Sequence, residues 1–260
     1  MSIKLKGSSD GSVSLDAPAD TSPSGTDVSF TLPTADGSSG QVIQTNGSGA
    51  LSFTTISTDP DGAYRSTLVF TQTGTWTKPS GLSRIRVYVT GGGGGGKGKR
   101  SDGSEGGTGG CAGGTAIKTI EASALGSTES VTIGGGSAGV ANTDSNAGTG
   151  GTSSFGSHCS ATGGMGGDRP TGSPYLDGGI GSGGDINIRG SSVVTSRETV
   201  DDAGSPGGDS FFGGGGRSAK TDGTYAHGGH GQYGSGGGGG NTSGAGGNGG
   251  SGVVVVEQYF

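Results

Sequence analysis

Residues 85–97 read IRVYVTGGGGGGK, an alternating segment that runs into six glycines and a lysine. Ile85, Val87 and Val89 share one side of a strand, with Arg84, Arg86, Tyr88 and Thr90 on the other. Gly91, Gly96 and Lys97 match most of the phosphate-binding pattern G-x-x-x-x-G-K-[ST]. Position 98 is glycine, however, so no hydroxyl is offered to Mg²⁺. The following GKRSDGSEGGTGG cannot open the helix whose N-terminus helps hold a phosphate. The glycines have another purpose, and that purpose decides the fold.

Glycine supplies 67 of the 260 residues: ten before residue 91 and 57 between 91 and 252. The tracts 91–114, 134–151, 163–184, 204–216 and 228–252 separate short strand-like runs, among them TAIKTI at 115–120, SVTIG at 130–134 and the closing GVVVVEQYF at 252–260. Apolar residues are 26%, about half the usual share. Charged residues are only 14% and prolines eight, which is not the composition of a disordered chain, and no G-X-Y period marks a collagen. Val253–Val256 is apolar at successive positions, as in a strand covered on both faces, and it follows a glycine-dense stretch. Such a strand pairs back with the strands near residues 67–90. The tracts between must then be ordered. A three-residue-per-turn helix of polyglycine-II type allows this, because without side chains such helices approach closely and bond through their backbones. GGTGG, GGMGG and GAGGNGG suit that packing. TLVFTQTGTWTKP and SRIRVYVT read as one β pair. Leu68–Phe70, Ile85–Val89 and Val253–Val256 are assigned to the core, with Trp76 structural.

Residues 1–57 differ in composition. GSVSLDAPAD and DVSFTLP alternate apolar with polar, and QVIQT and ALSFTTI flank Asn46-Gly47-Ser48-Gly49, a hairpin signal. This reads as a small β module too short to bury a core by itself, and so completed by copies of itself. TDPDGAYRS at 58–66 reads as a linker, which leaves 67–260 as the second domain. The fold class is therefore all-β: a short N-terminal β module, then a glycine-rich β-sandwich-like domain with packed polyglycine-II-type segments.

Several functions lack support. MSIKLKGSSD has no apolar region of a secretory signal, no run of 18 apolar residues predicts membrane insertion, and net charge −6 gives no nucleic-acid footprint. Cys111 and Cys159 are too few for a disulfide framework and read as separate thiols or one bridge. GGMGGD at 163–168 begins a calcium nonapeptide but occurs once. His227, His230 and His158 could in principle hold a metal, though exposed solvated histidines are the simpler reading. Asp201, Asp202 and Glu198 form no nucleophile–base set, so neither an enzyme, a cofactor nor a metal is expected.

The pieces VFTQTGTWTKPSGLSRIRVYVTGGGGGG at 69–96, GGTSSFG at 150–156 and GGNGGSGVVVVEQYF at 246–260, in that order, resemble bacteriophage tail-fibre and adhesin proteins with a glycine-rich C-terminal domain. TLPTADGSSGQVIQTNGSGALSFTTI is similar to short fibre modules of marine and cyanobacterial phages. The resemblance implies a homotrimeric fibre in the virion. The N-terminus would attach it to a phage tail or baseplate protein, and the C-terminal domain would touch a host surface glycan or outer-membrane protein.

On a glycine scaffold the insertions are the chemically varied surface. They offer Tyr175, Arg189, Arg197, Phe211, Phe212, Tyr225, His227, His230 and Tyr233 as candidate receptor-binding residues, with aromatic faces and hydrogen-bonding groups suited to sugar or protein recognition. Phe211 and Phe212 also read as gap-filling residues. The expected function is non-covalent adhesion. The competing readings are a purely structural virion component, such as a head fibre or tail-tip connector, an ice-binding or matrix protein (for which no threonine array is present), and a depolymerase.

Overall fold

The computed structural model describes residues 3–6, 12–15, 27–55, 63–99, 107–141, 145–167, 175–194, 204–220, 227–241 and 244–260. The chain divides into two units, Met1–Pro60 and Asp61–Phe260.

In the first unit, β1 (Ile3–Lys6) pairs antiparallel with β2 (Ser12–Leu15), and β3 (Gln41–Thr45) with β4 (Leu51–Thr55). The β3–β4 turn is the Asn46–Gly49 signal. Gly47 and Gly49 take φ of 80° and 88°, and Asn46 Oδ1 accepts the N–H groups of Ser48 and Ala50 at 2.8 and 3.1 Å. The alternation in DVSFTLP does not become a strand. Among the described residues only Thr31 finds a ladder partner, a parallel bridge to Ala50, and no other described segment accepts the remaining N–H groups. Val28, Phe30 and Leu32 stay exposed, and no residue from 27 to 55 is buried.

The second unit contains β5 (Tyr64–Phe70), β6 (Gly74–Thr77), β7 (Arg84–Thr90), β8 (Thr115–Glu121), β9 (Thr128–Thr132), β10 (Ser153–Phe155), β11 (Cys159–Ala161), β12 (Tyr175–Leu176), β13 (Gly181–Ser182), β14 (Ile186–Ile188), β15 (Val193–Val194) and β16 (Val253–Tyr259). One sheet has the order β14-β8-β7-β16-β5 and the other β13-β11-β10-β9-β6, while β12 pairs with β15. Ile85, Val87, Val89, Ile120, Val254 and Val256 of the first sheet meet Trp76, Val131, Phe155 and Cys159 of the second in one core. The indole of Trp76 stands edge-on to Phe155, with ring centres 5.8 Å apart. Sheet packed on sheet explains the all-β composition.

The closing strand does return to the strands near residues 67–90, between β5 and β7. That position corrects the expected pairing of 67–79 with 83–90. A strand of consecutive valines needs cover on both faces and so takes the inner place, while β6 joins the other sheet. It also leaves β5 on an edge, where Leu68 and Val69 are exposed rather than in the core. The β5 strand begins at Tyr64, within the stretch read as linker, because Tyr64 pairs with Tyr259 and packs its ring against it. The weakly helical IEASALGSTES forms one 3-10 turn, Ala122–Ala124.

The strands run on into glycine segments: g1 (91–99), g2 (107–114), g3 (134–140), g4 (146–152), g5 (162–167), g6 (177–180), g7 (189–192), g8 (204–210), g9 (213–220), g10 (227–232), g11 (235–241) and g12 (244–252). In g1 the hydrogen-bond partner changes at each residue and recurs at every third. Gly91, Gly94 and Lys97 donate to Gly114, Cys111 and Thr108 of g2, and Gly92 and Gly95 to Gly151 and Gly148 of g4. Gly93 and Gly96 donate to Gly250 and Gly247 of g12. The descending numbers make g1 antiparallel to g2, g4 and g12. Its carbonyls accept, in ascending order, from Gly164 and Gly167 of g5, Ser137 and Val140 of g3, and Gly237 and Gly240 of g11, which run parallel to it. This is a three-residue-per-turn helix surrounded, in order, by g5, g2, g11, g12, g3 and g4. In the same way g11 sits among g1, g2, g8, g9, g10 and g12.

This packing is why g1 and g11 contain the unbroken runs Gly91–Gly96 and Gly236–Gly240. A Cβ on Gly91 or Gly94 would strike g5 carbonyls, on Gly92 or Gly95 g3 carbonyls, and on Gly93 or Gly96 g11 carbonyls. Outer helices lack cover on one side, and in g5, g10 and g12 every third residue there carries a side chain. Met165 in g5, Asn248 in g12 and His227 and His230 in g10 all point out from GG pairs that point in.

Candidate functional site

The direction of each helix follows from the strands it joins. The helices g1, g3, g5, g7, g9 and g11 lead away from the sandwich, and g2, g4, g6, g8, g10 and g12 return. The residues that border the segments 100–106, 142–144, 168–174, 195–203, 221–226 and 242–243 therefore all lie at the end of the bundle remote from the sandwich. The short connections Phe211–Phe212 and Tyr233–Gly234 lie at the sandwich end.

This topology separates the candidate receptor-binding residues. Arg197 and Tyr225 lie outside the described residues, in segments that start and finish at the remote end. Tyr175, the first described residue after 168–174, pairs through its backbone with Val194. His227 opens g10 at the same end. Arg189 opens g7 nearer the sandwich and donates to Asp177 Oδ1 at 2.9 Å, with both side chains exposed.

Phe211 and Phe212 sit on the outer face of the first sheet. Phe211 stacks on Tyr88 at 6.1 Å, Phe212 stands edge-on to Phe211 at 4.9 Å, and the Arg86 guanidinium lies 5.4 Å from the Tyr88 ring centre. Glu257 Oε2 accepts from the hydroxyls of Tyr88 and Tyr259 at 3.3 and 3.1 Å. Burial first, then this carboxylate, raises the pKa of both tyrosines. Tyr88, Arg86 and Glu257 are not evident from the sequence as partners of Phe211; β-alternation alone puts Arg86 and Tyr88 on the outer face.

The histidines have a definite task. His227 Nδ1 accepts the backbone N–H of Ala245 at 3.1 Å, and His230 Nδ1 that of Asn248 at 2.9 Å. An outer helix has N–H groups with no further helix to receive them, and the imidazoles of g10 supply acceptors to g12. Asn248 Oδ1 accepts the N–H of Gly139 of g3 at 2.9 Å. His158 belongs to the sandwich, where Nε2 lies 3.3 Å from Glu129 Oε1. The three histidines thus do not meet, and no cluster of metal-binding side chains occurs among the described residues.

The run Gly91–Lys99 gives every N–H to a neighbouring helix, leaving none to cradle a phosphate. Lys97 is 4% exposed. Cys111 packs with Leu176 and Val193, whereas Cys159 belongs to the sandwich core, so they are separate free thiols. Burial raises both pKa values to about 11.

A β-sandwich whose strands continue into close-packed glycine helices defines a class in which glycine is the packing residue rather than a spacer. The glycine-rich domain family matches residues 67–259, and the chain belongs to that family. No curated protein matches the chain.

Proposed function

We propose that this protein is a phage tail-fibre adhesin that holds a host cell-surface receptor by non-covalent contact at the remote end of the glycine bundle. One observation carries this reading: every outgoing helix connects to a returning one at that end. The connecting segments hold, by sequence, Arg197, Glu198 and Tyr225 among other polar residues. A bundle bonded throughout by backbone groups is a rigid frame, and varied segments on a rigid frame are where binding surfaces are built. The first unit, without a buried residue between 27 and 55, suits completion by copies of itself into a homotrimer anchored to the virion at its N-terminus. Three tips together gain avidity from individually weak contacts.

Fluorescently labelled full-length protein, incubated with bacteria susceptible to the particle that bears it, tests this directly. Adhesion is expected, and replacement of 195–203 and 221–226 by Gly-Ser segments of equal length should abolish it with thermal stability unchanged. Adhesion unaffected by the replacements, or absent from the intact protein, overturns the reading. Native mass spectrometry should give three chains per particle.

A further inference from the structure

At the sandwich end of the bundle, Thr71, Gln232, Tyr233 and Ser251 line a groove of about 310 Å³ between g10 and g12, with glycine backbone between them. This is the lower end of the size range of small-molecule sites, about 300–1,000 Å³. No charged side chain lines it.

Two features mark this groove. The first is a break in the histidine ladder. The N–H groups of Ala245 and Asn248 are received by His227 and His230. One turn further, the same register sets Ser251 against residue 233. Tyr233 supplies no acceptor there, and the Ser251 N–H has no partner among the described residues. The second is Tyr233 itself. Its φ is +45°, the one positive value of a non-glycine residue among the described residues. An aromatic residue is strained in this conformation, which Gly234 beside it adopts without penalty. The ring is nevertheless held there, 48% exposed. The side chains of Thr71, Gln232 and Ser251 make no hydrogen bond with described residues, so their donors and acceptors are open to a ligand.

We propose that this groove binds one neutral sugar unit. The Tyr233 ring takes the C–H face of the sugar. The Gln232 amide and the Thr71 and Ser251 hydroxyls meet its hydroxyl groups, and a sugar oxygen accepts the Ser251 N–H in the place where a third histidine would otherwise stand. The groove lies at the opposite end of the bundle from the connecting segments and so stands apart from the adhesive surface proposed above.

Saturation-transfer NMR on the full-length protein, with the methyl glycosides of glucose, galactose, mannose and N-acetylglucosamine as probes, tests it. At least one glycoside should receive saturation at its ring protons. Tyr233→Gly removes the ring and relieves the backbone, so it should keep or raise Tm while abolishing transfer. Ser251→Pro removes both the N–H and the hydroxyl that meet the sugar, in a helix whose φ of about −75° suits proline. Pro206 already occupies an exposed position of g8. This variant should bind about thirtyfold more weakly, the loss of two hydrogen bonds. No transfer to the native protein, or transfer undiminished in either folded variant, overturns the proposal. Glycoside binding without cell adhesion would remove the adhesin reading and leave this one; adhesion without glycoside binding would do the reverse.

Discussion

The Nδ1 atom of His230 accepts the backbone N–H of Asn248 at 2.9 Å, so a side chain completes a ladder that the backbone leaves open at the bundle's edge. His230→Ala leaves that N–H to water and should cost about 0.5–1.5 kcal/mol in denaturant unfolding. Zn²⁺ should not raise the Tm of the native chain through this pair, because the imidazoles are one turn, about 9 Å, apart.

Glycine has a positional meaning that two alanine substitutions separate. A Cβ on Gly93 overlaps the carbonyl of Ser235, backbone that cannot swing aside, whereas a Cβ on Gly135 meets nothing. Gly93→Ala should destabilise by about 3 kcal/mol. Gly135→Ala should stay within about 0.5 kcal/mol of the native chain or gain slightly, since it restricts the unfolded chain. Equal effects of the two in urea unfolding would contradict the close packing of g1.

The thiols make stability depend on alkaline pH. Their folded pKa of about 11 lies above the ordinary value of 9. Below pH 9 both states keep the protons; between 9 and 11 the unfolded chain releases them and the folded chain does not. Stability should therefore be full below about pH 9 and fall as pH rises through that window. Cys111→Ala with Cys159→Ala should flatten the decline, measured by unfolding at a series of pH values. Neither thiol of the native protein should react with a disulfide reagent at pH 8, and both should react in denaturant.

Trp76 is 1% exposed, and its indole Nε1 has no hydrogen-bond partner among the described residues. Trp76→Phe trades lost area against an N–H that burial penalises, so it should cost under about 1.5 kcal/mol. Trp76→Ala opens the core beside Phe155 and should cost about 3–5 kcal/mol. Calorimetry of the two variants distinguishes them.

The sandwich core was legible because alternation in Ile85–Val89 and the unbroken Val253–Val256 report burial through side chains. The close packing of the glycine tracts was legible from their length, since only an ordered array accounts for a buried strand after g12. Which helix lies beside which was not, because glycine carries no side chain to record its neighbour. The outward positions hold that record instead. His227, His230 and Tyr233 recur every third residue, as do Ala245, Asn248 and Ser251, and a period of three would have set the two rows side by side. The contact of Phe211 with Tyr88 could not be read at all, since it joins a turn to a strand more than a hundred residues away. DVSFTLP shows the opposite failure, a pattern that promises a strand where no described segment completes one.

Because each glycine helix turns once in three residues, the bundle has a natural unit of growth. Three residues added to an outgoing helix and three to its return would carry the tip about 9 Å further from the sheets and leave every side chain on its former side. One or two added residues would instead rotate the remainder of the helix, driving outward-pointing groups into their neighbours. Reach in such a molecule is adjustable only in whole turns.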